Sequence, residues 1–177
     1  LYPSGHPNIA FTLSAYGRLL LRLGDYEEAE RLQREALEIR RHYHGESHPD
    51  VAYSLGSLGM AVYERGRYDE AEALLRESLA MHRKLHPDHP IAGNVMNDIG
   101  LVMYERGDYA DAEKMHRDAL TFQQSVAGDD ERNAMAVSMV RRANDLAALG
   151  FLVQADTLAR EGYDLVRRIH EDRGLWV

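Results

Sequence analysis

Apolar residues recur at helical spacing along most of this chain. Val51, Leu55, Leu58 and Val62 mark one face of a helix predicted over 51–65. Gly66 ends it, because glycine enters the left-handed cap conformation at little cost. A second helix is predicted from near Tyr68 to about Leu85, with Ala71, Leu74, Leu75, Ser78, Leu79 and Met81 on its apolar face. His89-Pro90 then closes the unit, since proline is tolerated only in the first turn of a helix and biases its predecessor away from helical geometry. A connection this short makes the two helices antiparallel neighbours.

The pattern is periodic. Gly-Asp-Tyr-Glu-Glu-Ala-Glu at 24–30 returns as Gly-Arg-Tyr-Asp-Glu-Ala-Glu at 66–72 and as Gly-Asp-Tyr-Ala-Asp-Ala-Glu at 107–113, steps of 42 and 41 residues. His6-Pro7, His48-Pro49 and His89-Pro90 move with it, and a weaker fourth copy carries Gly150 and Ala155. Two markers in one register define a repeat of paired helices. Gly17, Gly59, Gly100 and Ala143 share one place in the first helices, and Ala29, Ala71, Ala112 and Ala155 share one in the second helices. A mid-helix glycine costs about 1 kcal/mol against alanine. Its recurrence predicts that two backbones approach with no side chain between them.

The small residue followed by Gly-x-Tyr-x-x-Ala resembles the tetratricopeptide repeat. The 42-residue step, the His-Pro boundaries and the stretches AEALLRESLAMHRKL and AERLQREALEIRRHY resemble its kinesin light chain subtype. The resemblance implies an all-α solenoid of stacked antiparallel helix pairs, a right-handed superhelix of about four repeats and about eight helices. It spans 1–177 as one array, with repeats at approximately 6–47, 48–88, 89–131 and 132–172. Leu13, Leu55, Met96 and Met139 replace the aromatic that opens the short-period consensus. Arg142 stands where Tyr16, Leu58 and Ile99 occur, which marks the fourth repeat as atypical. Leu1-Tyr2-Pro3-Ser4-Gly5-His6-Pro7 reads as the tail of a preceding second helix plus its connecting loop. The chain is therefore expected to be a fragment of a longer array, with Leu13 and Leu20 facing water where a unit is missing.

In such arrays the first helices line a concave wall. The residues expected there are Phe11, Ser14, Arg18 and Leu21, then Tyr53, Gly56, Met60 and Tyr63. Asn94, Asn97, Leu101 and Tyr104 follow, with Val137, Val140 and Asn144 in the fourth repeat. Tyrosine and arginine are the residue types enriched at binding hot spots. Glu64 and Glu105 border the wall and favour a ligand with some basic character. Chaperone-clamping relatives place lysines and asparagines where Ser14, Arg18 and Gly56 stand here, and kinesin light chains carry paired asparagines that Ser14-Ala15 and Gly56-Ser57 lack. Neither of those functions is expected.

Composition narrows the rest. The chain is 45% hydrophobic and 28% charged, with net charge −8 and pI about 5.6. That acidity disfavours nucleic acid and anionic membranes. With no cysteine, disulfides and thiolate metal sites are excluded, which fits a cytoplasmic setting. Lysine occurs only at 84 and 114 among 21 basic residues, a bias towards arginine that points to a bacterial source. Nine histidines invite a metal hypothesis through His42, His44 and His48, and through His82, His86 and His89. No acidic residue completes a familiar ligand spacing, so the boundary histidines are read as loop-bonding groups. Gly56-x-x-Gly59 lacks the Gly-Lys-Ser/Thr of a phosphate loop. Glu27-Glu28 and Asp69-Glu70 begin second helices, where carboxylates complement the dipole, and Asp129-Asp130-Glu131 reads as a solvated helix start. The expectation is a non-enzymatic protein- or peptide-binding scaffold with no metal and no cofactor. The alternative is a structural or regulatory array that packs on a catalytic domain of its own chain or self-associates.

Overall fold

The computed structural model describes residues 6–126 and 132–172. Within them lie α1 (Pro7–Leu23), α2 (Tyr26–His44), α3 (Pro49–Glu64), α4 (Tyr68–Leu85), α5 (Ile91–Arg106), α6 (Tyr109–Val126), α7 (Arg132–Ala148) and α8 (Leu152–Asp172). Every regular element among the described residues is helical. The opening Leu1-Tyr2-Pro3-Ser4-Gly5 and the acidic run Asp129-Asp130-Glu131 lie outside them. The chain divides into two compact units, Leu1–Pro87 and Asp88–Val177. In the first, α1 packs on α2, α2 on α3 and α3 on α4, and α1 also touches α3. The second repeats this arrangement with α5 to α8.

The boundary histidines are helix caps. The Nδ1 atoms of His6, His48 and His89 each accept the backbone N–H two residues on, all at 3.2 Å. With proline next, this gives one beginning for α1, α3 and α5. The Gly-x-Tyr turns do the same at the other end: Gly24 and Gly107 adopt φ of 83° and 92°, conformations a side chain would strain.

The recurring first-helix glycines meet the expected backbone and also a side chain that was not expected. A Cβ on Gly17 would lie 2.7 Å from Gln33 Nε2, one on Gly59 2.9 Å from Leu75 Cγ, and one on Gly100 2.5 Å from His116 Nε2. Gln33, Leu75 and His116 occupy one repeat position, sixteen residues after each glycine. The close backbone approach is present at Gly17 and Gly59, where the Cβ would also lie 3.2 Å from Ala29 O and 3.3 Å from Ala71 O, but a side chain shares the space: glycine makes the slot that a large second-helix residue fills. The fourth repeat pairs small with small at these positions, Ala143 and Ala159. Leu20 also departs from expectation, since it is buried with Ala29 and Leu32 and with Leu13 against that cluster. Phe11, Tyr16, Leu19 and Leu23 carry the exposed apolar surface of α1 instead.

Arginine–glutamate pairs join successive repeats. Glu30 on α2 accepts from Arg34 Nε at 2.9 Å, from Arg65 Nη1 at 2.6 Å and from Arg67. At the matching position in the second unit, Glu113 accepts from Arg142 Nε at 2.7 Å. The departure of Arg142 from the apolar pattern is thus an ion pair to the preceding repeat. Burial opposes ionisation of Glu30, but hydrogen bonds from Arg67, Arg34 and Arg65 outweigh it and lower its pKa from 4.5 to about 2. Because the folded-state value is the lower one, the stabilisation is complete above pH 4.5 and is lost as pH falls towards 2. Its size is about 1–2 kcal/mol, after discounting for the solvent that reaches the arginines. Urea titrations of the parent and Glu30→Gln should therefore differ by that amount at neutral pH and converge by about pH 2. A gap that persists in acid would contradict the linkage.

Candidate functional site

The wall residues expected from the repeat register divide by burial. Phe11 is 66% exposed, Arg18, Asn94 and Asn144 are exposed, and Tyr53, Met60, Tyr63, Leu101 and Tyr104 are half-buried. Two are inside the fold. Ser14, 2% exposed, donates to Gln33 Oε1 at 2.9 Å. Asn97, 4% exposed, donates to Ser138 Oγ at 2.7 Å. Tyr63 lies beside the motif tyrosine Tyr68 with ring centroids 5.9 Å apart, and Tyr104 beside Tyr109 at 5.1 Å. Each of these half-buried rings is held by a neighbour and open on one side.

In the first unit these positions meet in a cleft. Phe11, Ser14 and Arg18 of α1, Arg40 of α2, and Asp50 and Tyr53 of α3 enclose about 220 Å³. Arg18 and Arg40 both approach the Tyr53 ring, their guanidinium carbons 5.5 and 5.6 Å from its centroid. Arg40 is only 5% exposed. Its Nη1 donates to Ser54 Oγ at 2.6 Å and to Asp50 O at 3.4 Å. It has no carboxylate in ion-pair contact among the described residues. Burial lowers the pKa of Arg40, Asp50 raises it, and the second cation, Arg18, lowers it further.

The second unit fills the matching positions with uncharged residues. The positions of Arg18, Arg40 and Tyr53 hold Leu101, Gln123 and Val137 there. Ser138 stands where Ser54 does and donates to Gln123 Oε1 at 2.6 Å. His116 takes the place of Gln33: its Nε2 lies 3.2 Å from Asn97 O, as Gln33 Nε2 lies 3.0 Å from Ser14 O. Arg141 Nη1 also donates to Asn97 O at 2.6 Å. Burial pushes the neighbouring Asp98 carboxyl up, and Arg141 partly offsets this.

The sequence reading named His44 and His48 as metal candidates with no acidic partner, and Asp50 is the residue it missed. His44, His48 and Asp50 bring ligand atoms within 4.8 Å of one another. The His44 and His48 rings are stacked, 3.9 Å apart and 5° from parallel. Imidazole lone pairs lie in the ring plane, so parallel rings cannot both aim at one ion without turning. His48 Nδ1 is already bound to the Asp50 N–H at 3.2 Å. The arrangement is that of a cap and a stacked pair rather than of a formed metal centre.

The tetratricopeptide repeat family model matches residues 8–84 and, in a second overlapping register, 57–125. The chain belongs to the tetratricopeptide repeat family. Its fold is an all-α repeat solenoid of about four repeats, similar to solved structures. One is BtubC (BKLC) from P. vanneervenii, with a TM-score of 0.82 and 20% identity, covering 93% of this chain and 66% of that one. A second is a kinesin light chain candidate of Podosopora anserina with nearly identical TPR-like repeats. It has a TM-score of 0.72 and 20% identity over 97% of this chain and 78% of that one. No curated protein sequence matches the chain. Tetratricopeptide repeats are in general protein-interaction scaffolds. No helix among the described residues is long and apolar enough to cross a membrane.

Proposed function

We propose that this tetratricopeptide array is a non-catalytic scaffold that holds a protein or peptide against its first helices. The observation that carries the reading is the α1–α3 cleft, where an exposed phenylalanine, a half-buried tyrosine and two arginines converge from two repeats. Met60 and Tyr63 extend that surface along α3, and Asn94, Leu101, Tyr104 and Asn144 are the corresponding contacts offered by the second unit. Half-buried aromatics held by neighbours lose little entropy on binding, which suits them as anchors.

Panning a random peptide library on the full chain should select ligands that bind the Met60→Ala/Tyr63→Ala variant at least about tenfold more weakly, a loss of about 1.4 kcal/mol or more. The helical circular dichroism should be kept. Equal binding by a folded double variant would remove these residues from the binding surface.

A second reading has its own support. Leu152, Val153 and Tyr163 of α8 are exposed large apolar residues, as a face that packs on another domain or another copy requires. Sedimentation separates the two: dimers abolished by Val153→Glu would favour self-association.

A further inference from the structure

The geometry points to head-to-tail assembly of this chain, in which α8 of one copy docks on α1 of a second copy as α2 docks on α3 within one chain. This deepens the self-association reading and rests on it, since it names the two faces that meet.

The repeat register shows which faces are open. α2 packs on α3 and α6 on α7, so each of these second helices is covered by the first helix that follows it. α8 exposes Asp156 and Tyr163 where α2 buries Glu30 and Leu37, and Tyr163 is 65% exposed. α1 is open in the opposite sense. It exposes Thr12, Tyr16 and Leu19 where α3 buries Ser54, Leu58 and Ala61.

Three pairs of positions make the two ends complementary. The first pair is polar. Glu113 of α6 lies 3.2 Å from Arg117 Nη1 and accepts from Arg142 of α7. Asp156 and Tyr16 hold the positions of Glu113 and Arg142. Asp156 accepts from Arg160 Nε at 2.8 Å, and a carboxylate has room for a second donor, here the Tyr16 hydroxyl. The second pair is one of size. His116 of α6 meets Asp145 of α7, and the same two positions hold Gln33 and Ala61 in the first unit. At the ends they hold Ala159 and Leu19, so the side that is small in α8 is large in α1. The third pair gives up polarity on both sides together. Arg40 donates to Ser54 Oγ, and Ser138 donates to Gln123 Oε1. Val166 and Thr12 stand at those positions, and the Thr12 hydroxyl donates to Asn8 O at 3.0 Å, which leaves its methyl for the valine.

These matches select the occupant. A unit of another sequence would be fitted to each end separately, whereas a second copy requires the two ends to fit each other. The contact joins unlike faces, so it builds chains or closed rings rather than stopping at a symmetric pair.

Sedimentation equilibrium on the full chain tests this. The apparent mass should rise with concentration and pass that of the dimer. Leu19→Glu and Tyr163→Glu alter exposed side chains, should keep the helical circular dichroism, and should each lower the association constant at least about tenfold. Mixed in equal amounts, the two variants should form a dimer and stop there, because one supplies an intact α8 and the other an intact α1. Tyr16→Arg copies Arg142 and should raise the constant about fivefold, a gain that Asp156→Ala removes. Association of Leu19→Glu at the strength of the parent, a mixture that stays monomeric, or a parent that stops at the dimer would overturn the head-to-tail contact. Loss of association in Val153→Glu but not in Leu19→Glu would overturn it too, while leaving self-association through another part of α8. A parent that is monomeric at every concentration would remove both.

Discussion

Asp145→Ala is expected to destabilise the second unit by about 3–5 kcal/mol, read as a lowered urea midpoint. Asp145 Oδ2 lies 2.6 Å from His116 Nδ1, and the two side chains are 0% and 1% exposed. The other ring nitrogen faces the Asn97 carbonyl at 3.2 Å. A carbonyl only accepts, so Nε2 donates, and Nδ1 faces Oδ2 at hydrogen-bond distance. Removing the carboxylate leaves a buried ring nitrogen with no partner and opens a space that water enters only through a closed core. The pair also joins α6 to α7, so its loss weakens the contact between two repeats rather than within one. Asp145→Asn separates charge from shape. Its amide can donate to a neutral imidazole Nδ1, which keeps one hydrogen bond, so the cost should fall to about 1–2 kcal/mol. A loss below about 1 kcal/mol for the alanine variant would show that the network relaxes around the gap.

That pair also marks where the sequence stopped being legible. Helix ends and register were readable because each is fixed locally. A histidine before a proline caps the helix that follows, and a glycine before the motif tyrosine turns the chain. The groove residues were only half readable. Helical spacing puts Ser14 and Asn97 on the same stripe as Arg18 and Leu101, yet a neighbouring helix covers the first two. Whether a stripe residue is covered depends on what the neighbouring helix places opposite it, Gln33 for Ser14 and Ser138 for Asn97. The buried pairs were hidden for another reason: their members lie in different repeats. There was a signal. Asp145 stands where Leu19, Ala61 and Val102 stand, and His116 where Gln33 and Leu75 stand. Two polar departures in adjacent repeats, at positions that otherwise vary in size rather than charge, point to one another. Arg142 is likewise a polar departure, although its partner Glu113 is the motif glutamate of the preceding repeat.

The slot rule makes the sharpest demand on packing. Gly59→Ala places a methyl 2.9 Å from Leu75 Cγ and 3.3 Å from the Ala71 carbonyl. Neither can give way easily, because Leu75 and Ala71 are fully buried and the carbonyl belongs to a helix backbone. Alanine's better helix propensity returns about 1 kcal/mol, while overpacking a tight core costs about 1–3. With branched carbons on one side and backbone on the other, the upper end applies, and a net loss near 2 kcal/mol is expected. Leu75→Ala alone empties the slot and should cost about 2–5 kcal/mol. The double variant Gly59→Ala/Leu75→Ala is the informative one, because it writes into the second repeat the small–small pair that the fourth carries naturally as Ala143 and Ala159. The new methyl then occupies part of the vacated space. Equilibrium unfolding should show the double variant losing about 1–3 kcal/mol less than the two single losses combined. Strict additivity would mean that Leu75 does not fill the glycine's slot, and that the recurrence of glycine in three first helices has another cause.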